Sequence, residues 1–388
     1  MNKLVVFLFF IFITELSLCF DYNIQENQLD IAVKYNNLNI NSKLNPNSFL
    51  NFNEYESSQR YILGIKGTFD ESCSYYLKTQ VDNVTAKYTT RNVQAIFSEY
   101  YVSWIPASAL YLDLGKKAFG WGNTIAWNLH SVLSLRDMWS CQYFIDEKLS
   151  TIFVKYLNSS DWATKVRFTP GVVDCDIYAY QENEVKKAGL SLSHTVDDAL
   201  EIHGEALIQR ANTNYYPTYY GGNQYGWIQK NVAYSFNPQV IVGCKYTTLE
   251  NVDIWLDYCY NSMGLSNAEM QTFLNGINES LLGNKYQITS SWMKYLGDAN
   301  SYYQFARFRQ NYIFMRLAKD KLLDSISTEL IGYYCVDDGG AVFIPTVTNQ
   351  FSSNLSGGVS IFIPLGDDHS EFKRYQNYYV NCNITYFF

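Results

Sequence analysis

Three side chains in one short stretch, Glu201, His203 and Glu205, are the nearest thing to a chemical constellation in this sequence. Spaced by two, they share one face if the stretch is a strand, because successive strand side chains point to opposite sides. Two carboxylates around an imidazole could hold a metal ion or relay a proton. The same trio on a wet strand face is a polar lining, and the neighbours favour that reading, since Leu200, Ile202, Ala206 and Ile208 oppose Glu201, His203, Glu205 and Gln209. The other histidines, His130, His194 and His369, are scattered. There is no Gly-x-Ser-x-Gly elbow, phosphate loop or His-Glu-x-x-His, so no motif supports an enzyme or asks for a cofactor or metal. Beyond residue 20 the cysteines are Cys73, Cys141, Cys175, Cys244, Cys259, Cys335 and Cys382. Their number is odd and no spacing resembles a zinc site. Several fall on apolar strand faces, where a thiol acts as a small hydrophobe. A disulfide framework is not expected, although one or two bridges between loops or neighbouring strands stay open.

The elements that would carry these residues read as strands. A net charge of -8 with a pI near 5.1 argues against a nucleic-acid binder. Aromatics make up 17 % of the chain beside only 7 prolines, which suits many strands with aromatic girdles. At the N-terminus, Lys3 precedes the apolar run Leu4 to Ile13, and Leu16-Ser17-Leu18-Cys19-Phe20 leads into polar sequence. Residues 1–20 are therefore expected to be a secretory signal, leaving 21–388 as one unit. Leu16 to Cys19 has a passing likeness to a lipoprotein cleavage box, but Leu18 is bulky where such boxes want a small residue. After residue 20 no stretch approaches the roughly 20 apolar residues of a spanning helix, so any membrane crossing must use strands.

Taken in order, the alternation is weak near Leu29 to Tyr35 and sharpens over Tyr61 to Phe69 and Tyr75 to Val81 around Asp70-Glu71-Ser72. Val93 to Trp104 is followed by the alternating Leu110, Leu112 and Leu114. Further strands are expected over Asp137 to Asp146, Leu149 to Leu157, Trp162 to Phe168, Val172 to Tyr180, Lys187 to Val196 and Ala199 to Arg210. Tyr215 to Gly222 looks too irregular for a strand and is expected to be a long loop. A hairpin of Gln224 to Phe236 and Val240 to Thr247 should turn at Asn237-Pro238, with Val252 to Cys259 following. At Ser266 the period changes. Ser266 with Glu269 forms a capping box, and Met270, Phe273, Leu274, Ile277 and Leu281 recur at helical spacing, predicting a loop helix to about Leu282. Such a helix could fold into a mouth or cap a rim. Strands resume at Tyr302 to Phe314, Ile326 to Cys335, Ala341 to Thr348 and Gly358 to Leu365. The count is about 16–18 strands, the number an outer-membrane barrel of this size requires.

The last stretch, Tyr378 to Phe388, alternates again and ends on Phe388. Val380, Cys382, Ile384, Tyr386 and Phe388 resemble, position by position, the closing strand of bacterial outer-membrane β-barrels, which the barrel-assembly machinery recognises. The segment from Leu112 to Asn128 is similar to porin-like barrels of the alginate-export and phosphate-selective kind: a Gly-Lys pair at Gly115-Lys116, Trp121-Gly122, then a loop with Asn123. Leu129 stands where that family usually has Pro. The resemblance implies an all-β transmembrane antiparallel barrel with one short loop helix, placed in the outer membrane of a Gram-negative-type bacterium.

A charge against hydrocarbon costs about 2–4 kcal/mol for Arg or Lys at the midplane, so charges alternating with apolar residues belong inside such a barrel. That rule assigns Lys66, Lys78, Asp113, Lys117, Glu201, Glu205, Lys245, Asp253, Asp257, Arg307 and Arg309 to a pore lining of mixed sign. The leading expectation is a monomeric or trimeric porin that passes small hydrophilic solutes by diffusion, with Tyr215 to Gly222 and Ser266 to Leu282 setting the constriction. The alternatives are a non-conducting structural or adhesive barrel, and a secreted soluble all-β protein carrying glycans at Asn83, Asn278 or Asn383. No nucleic acid is expected as a partner. Outer-membrane lipid and the assembly machinery are.

Overall fold

The computed structural model describes residues 27–41, 55–86, 89–117, 119, 121, 124, 137–157, 159–182, 185–210, 214–221, 224–229, 236–286, 306–367, 370–375 and 379–387. Residues 1–20, where a signal is expected, lie outside them, as do His130, His369 and Phe388.

Alternation of polar and apolar side chains builds long antiparallel strands throughout. The first five are β1 (Asn27–Asn41), β2 (Tyr55–Asp70), β3 (Cys73–Ala86), β4 (Thr89–Ala107) and β5 (Leu110–Lys116). The middle of the chain supplies β6 (Asp137–Phe144), β7 (Leu149–Tyr156), β8 (Trp162–Phe168), β9 (Val173–Glu182), β10 (Val185–Thr195) and β11 (Leu200–Arg210). After a small hairpin of β12 (Tyr215–Gly221) and β13 (Gln224–Gln229) come β14 (Phe236–Thr247) and β15 (Val252–Asn261). Helix α1 (Asn267–Tyr286) precedes β16 (Asn311–Leu323), β17 (Ile326–Cys335), β18 (Ala341–Gln350) and β19 (Leu355–Leu365). A one-turn helix, α2 (Glu371–Tyr375), leads to β20 (Tyr379–Phe387).

All strands but β12 and β13 join one 18-stranded sheet. Each pairs with its neighbours in chain order, β11 passing to β14 across the small hairpin. The sheet returns on itself: β1 pairs with β2 through Leu29↔Ile65 and with β20 through Tyr35↔Ile384. A sheet without edges is what lets strands cross a bilayer, since every backbone group then finds a partner within the protein. The 12 residues of β14, at about 3.3 Å each and a tilt near 45°, span about 28 Å, close to the hydrocarbon thickness.

The two rims differ. The turns 71–72, 108–109, 145–148, 169–172, 196–199, 248–251, 324–325 and 351–354 share one rim and are short. Two of them use the same device: an aspartate carboxylate accepts two successive backbone N–H groups, Asp146 from Lys148 and Leu149 and Asp197 from Ala199 and Leu200. This side-chain mimic of a turn fixes hairpin register. The longer connections, including those that follow β5, β11 and β15, leave from the other rim.

Several sequence expectations change at these connections. Asn237-Pro238 is not a turn, because both lie within β14 and pair with Gln209 and Ile208. Proline is tolerated there because it stands near the start of the strand, and its carbonyl still accepts from Ser262 N. Tyr215 to Gly221 is the strand β12 rather than an irregular loop. No strand runs over 306–310, where the chain turns before β16 begins at Asn311 and continues to Leu323. The expected helix is present and its capping box closes, with Ser266 Oγ and N both donating to Glu269.

The apolar face is tested by charge. Leu256, at mid-β15 and half exposed on the outer row, should lower the unfolding free energy in lipid vesicles by about 2–4 kcal/mol as Leu256→Arg. A urea titration in vesicles reads it, and a neutral effect would mean that this face does not meet hydrocarbon.

Candidate functional site

Register sorts the side chains into two faces. Outward rows carry residues such as Val102, Trp104, Leu114, Trp139, Ile177, Ile202, Val242 and Tyr258, all exposed. Inward rows carry the charges. Cys73, Cys141, Cys175, Cys244 and Cys382 fall on outward rows and Cys259 and Cys335 inward, flanking Tyr312. None of them is in a disulfide.

Of the residues assigned to the lining, Lys66 and Lys78 stand on inward rows of β2 and β3, and Lys78 pairs with Glu99 at 3.4 Å. Asp113 on β5 accepts from Lys117 at 2.8 Å and Ser140 at 3.1 Å, and also from Ser103. Lys117 lies over the Tyr101 ring. Glu201, His203 and Glu205 share the inward row of β11, as their spacing requires, but each turns to a different partner. Glu201 accepts from Ser193 Oγ at 2.6 Å. Lys245 sits opposite Glu201, 3.9 Å from Asp253 and above the Trp255 ring. Among the described residues no group of three His, Cys, Asp or Glu is placed to hold a metal.

The second member of the trio has the most specific geometry. His203 Nε2 lies 2.9 Å from Asp257 Oδ1, both fully buried, although the two are on β11 and β15 with β14 between them. In register the row reads His203, Gly243, Asp257. Gly243 makes the contact possible: a Cβ there would stand 2.1 Å from Asp257 Oδ1 and 2.6 Å from Leu256 O. The carboxylate thus occupies the space of the missing side chain and reaches across a strand, with the Trp255 ring against the imidazole.

Glu205 does something else. Its carboxylate accepts the backbone N–H of Thr124 at 3.1 Å. Trp121, three residues earlier, is buried with its ring 5.7 Å from that of Tyr178 on β9. The connection after β5 therefore reaches inside the ring to the walls of β9 and β11. Sequence reasoning missed this insertion, placing the constriction in the segments Tyr215 to Gly222 and Ser266 to Leu282. A loop's destination carries no periodicity, and only the partner Glu205 was visible in advance. It also missed Asp176, fully buried, which accepts from Arg167 at 2.8 and 2.9 Å, from Lys165 at 2.8 Å and from Tyr178 at 3.0 Å. The alternation rule applied to β8 and β9 would have found these residues.

Arg307 and Arg309 stand off the strands. Arg309 is buried and turned to the rim: it donates to Ser266 O at 3.2 Å and to Asn267, while its Nε stands 3.7 Å from Asp338, an ion-pair distance without a hydrogen bond. Tyr312 Oη accepts from Arg309 N at 2.6 Å and donates to Glu371 at 2.5 Å. This network joins three connections at one rim. Arg307 is exposed, yet close enough to inward-facing Cys259 and Tyr333 to act on them electrostatically.

No protein-family model matches the chain, and no curated protein sequence does. Solved structures do. The crystal structure of Acinetobacter baumannii OccAB1 covers 95 % of this chain and 97 % of its own, with a TM-score of 0.58 at 10 % identity. The E1M, A104W mutant of Rh. blastica porin covers 94 % of this chain at 9 % identity with a TM-score of 0.47, too low to add weight. The fold is that of a porin-like barrel.

The interior of this porin-like barrel is unevenly filled. Val154, Tyr178, Ile241, Tyr312, Phe314, Cys335 and Val342, on inward rows from β7 round to β18, are almost without exposure and form one core. Around this core inward charges keep contact with solvent, Lys78 with 32 % and Lys117 with 27 % of the side-chain surface on one arc, Lys245 with 31 % and Asp253 with 35 % on the other. Lys66 is exposed outright.

Gly243→Ala tests the strand-crossing pair. Its methyl has no room while Asp257 reaches His203, so stability should fall by about 1–3 kcal/mol. Urea unfolding in vesicles measures this, and a loss below about 0.5 kcal/mol would show that the pair re-forms around the methyl.

Proposed function

We propose that the barrel is an outer-membrane channel, not an enzyme, that passes small hydrophilic solutes by passive diffusion. The observation that carries this reading is that inward charged side chains keep contact with solvent on both arcs of the ring, Lys66, Lys78 and Lys117 on one and Lys245, Asp253 and Arg316 on the other, around the packed band of Val154, Tyr178 and Ile241. The segment held by Trp121 and Glu205 narrows the lumen, and the interleaved Lys, Asp and Glu give modest rather than strong ion preference. Val380, Ile384 and Tyr386 on the outward row of β20, with Phe388, serve as the assembly signal. The chain reaches the outer membrane after removal of residues 1–20.

A second reading has its own observation. The depth of packing around Val154, Tyr178 and Ile241 suits a structural barrel that carries no current.

Single-channel recording of the refolded chain in planar bilayers separates the two. Steady conductance, with Lys66→Glu and Lys78→Glu together moving the reversal potential in a salt gradient toward cation preference, supports the channel. A heat-modifiable barrel that carries no current supports the structural reading and overturns the channel. Glu205→Ala removes the acceptor of Thr124 N and should raise conductance or its open-state noise about twofold or more, because a hydrogen bond to a charged group contributes about 1.5–3 kcal/mol. An unchanged trace would show that Glu205 does not hold the segment.

A further inference from the structure

Charge on the outward face breaks the rule that fills the interior, and it does so at one rim. Register puts carboxylates such as Glu99, Asp176, Glu201 and Asp253 on inward rows. Four cations stand outward instead. Lys116 of β5 lies opposite Tyr100, two residues on from outward Leu114. Lys155 of β7 lies between Trp139 and Trp162, and the same row continues through Gln181 to Lys186 of β10. Arg210 of β11 lies opposite Phe236, two residues on from outward Ile208. All four sit at strand ends on the rim of the longer connections, with the acid Asp137 opposite Lys116.

Carbonyl oxygens brace two of these cations. Lys155 Nζ donates to Ser159 O at 2.7 Å and to Asp161 O at 3.1 Å, and Lys116 Nζ to Phe97 O at 2.7 Å. A carbonyl holds an ammonium in place without cancelling its charge, unlike the carboxylates that meet Lys78, Lys117 and Lys187 inside. Lys186 and Arg210 are exposed and each stands one residue beyond the Lys187↔Gln209 pair. Two like charges thus face each other on adjoining strands, which is unfavourable on its own. The connections that follow β5, β7, β9 and β11 add Lys117, Arg136 and Lys230 against two acids, Asp161, which is buried, and Glu184.

We propose that this arc of the outer wall holds the phosphate groups of anionic lipid through Lys116, Lys155, Lys186 and Arg210. The cations are interleaved with Trp139, Trp162 and Phe236, side chains of the kind that lie at headgroup level. Leu114, Phe153 and Ile208 continue the outward rows below them as an apolar face. Long cationic side chains at the border of such a face reach toward lipid phosphates, whereas an acidic protein partner would match the charge but not the apolar rows. An anion placed between Lys186 and Arg210 also relieves their repulsion. A zwitterionic headgroup brings its own ammonium and gains less. The binding rests on the outer-membrane reading of the barrel and is independent of conduction.

The full chain, refolded in an amine-oxide detergent, is titrated with diphosphoryl lipid A and, in parallel, with phosphatidylcholine, and bound lipid is read by native mass spectrometry. Lipid A is expected to stay bound where phosphatidylcholine does not, and to be released as sodium chloride is raised. Lys116→Gln, Lys155→Gln, Lys186→Gln and Arg210→Gln together should weaken its binding about tenfold or more, because each cation adds to the attraction. Should that variant not fold, the exposed pair Lys186→Gln and Arg210→Gln alone is expected to weaken it about threefold or more. Lys148→Gln, Lys319→Gln and Lys321→Gln at the opposite rim should change it less than about twofold, since that rim lies beyond a Debye length. Heat-modifiable mobility reports folding, and flotation with phosphatidylcholine vesicles reports membrane entry. A chain that floats but binds both lipids alike overturns the lipid-phosphate site alone, and a chain that floats with no vesicle overturns the membrane reading with it. Equal losses from the two rims, or displacement of lipid A by excess inorganic phosphate, also overturn the site.

Discussion

A backbone N–H or C=O left unpaired in hydrocarbon costs several kcal/mol, and that cost governs this molecule. Eighteen strands can stand together in a bilayer only if the first finds the last. The pairing of β1 with β20 meets that demand across almost the whole sequence, Val33 opposite Tyr386. Once the ring closes, everything else divides into inside and outside. The period of two that puts Ile202 and Val242 on the outside of the ring puts His203 and Gly243 toward the interior.

Inside the ring the governing problem becomes charge. Ions removed from bulk water need partners, and the barrel supplies them across strands: Lys78 to Glu99, Arg316 to Glu329, and both Lys165 and Arg167 to Asp176. The His203–Asp257 contact takes this further by spanning an intervening strand. It depends on an absence, the side chain that Gly243 lacks. Packing and polarity are therefore coupled on this wall, since a residue with no polar atoms in its side chain decides whether two polar groups meet.

The fold was legible in the sequence because alternation survives wherever one face meets lipid and the other a polar interior. β11 is the clearest instance, with Leu200, Ile202 and Ile208 against Glu201, His203 and Glu205. Where alternation ends, so did legibility. Pro238 reads as a breaker, yet it sits inside β14 because its place near the strand start leaves little of the ladder to lose. Tyr215 to Gly221 reads as irregular because both faces of a loop hairpin are aromatic. The inward lysines and aspartates were recognisable by type, but which of them pair follows from register between strands, which no single strand encodes. Arg309 illustrates the limit: its charge suggested a lining, and its surroundings, Ser266, Asn267 and Asp338, come from two connections far apart in sequence.

The shared core of α1 and the β12–β13 hairpin has a mechanical side. The hairpin hangs from β11 and β14, and the helix from β15 and β16, so one apolar contact ties together four adjoining staves of the ring. Arg309 and Tyr312 extend the tie to the connections after β17 and β19. That arc is braced like a hoop at its upper end. Shape fluctuations of the barrel should therefore be smaller along that arc than backbone pairing alone would allow.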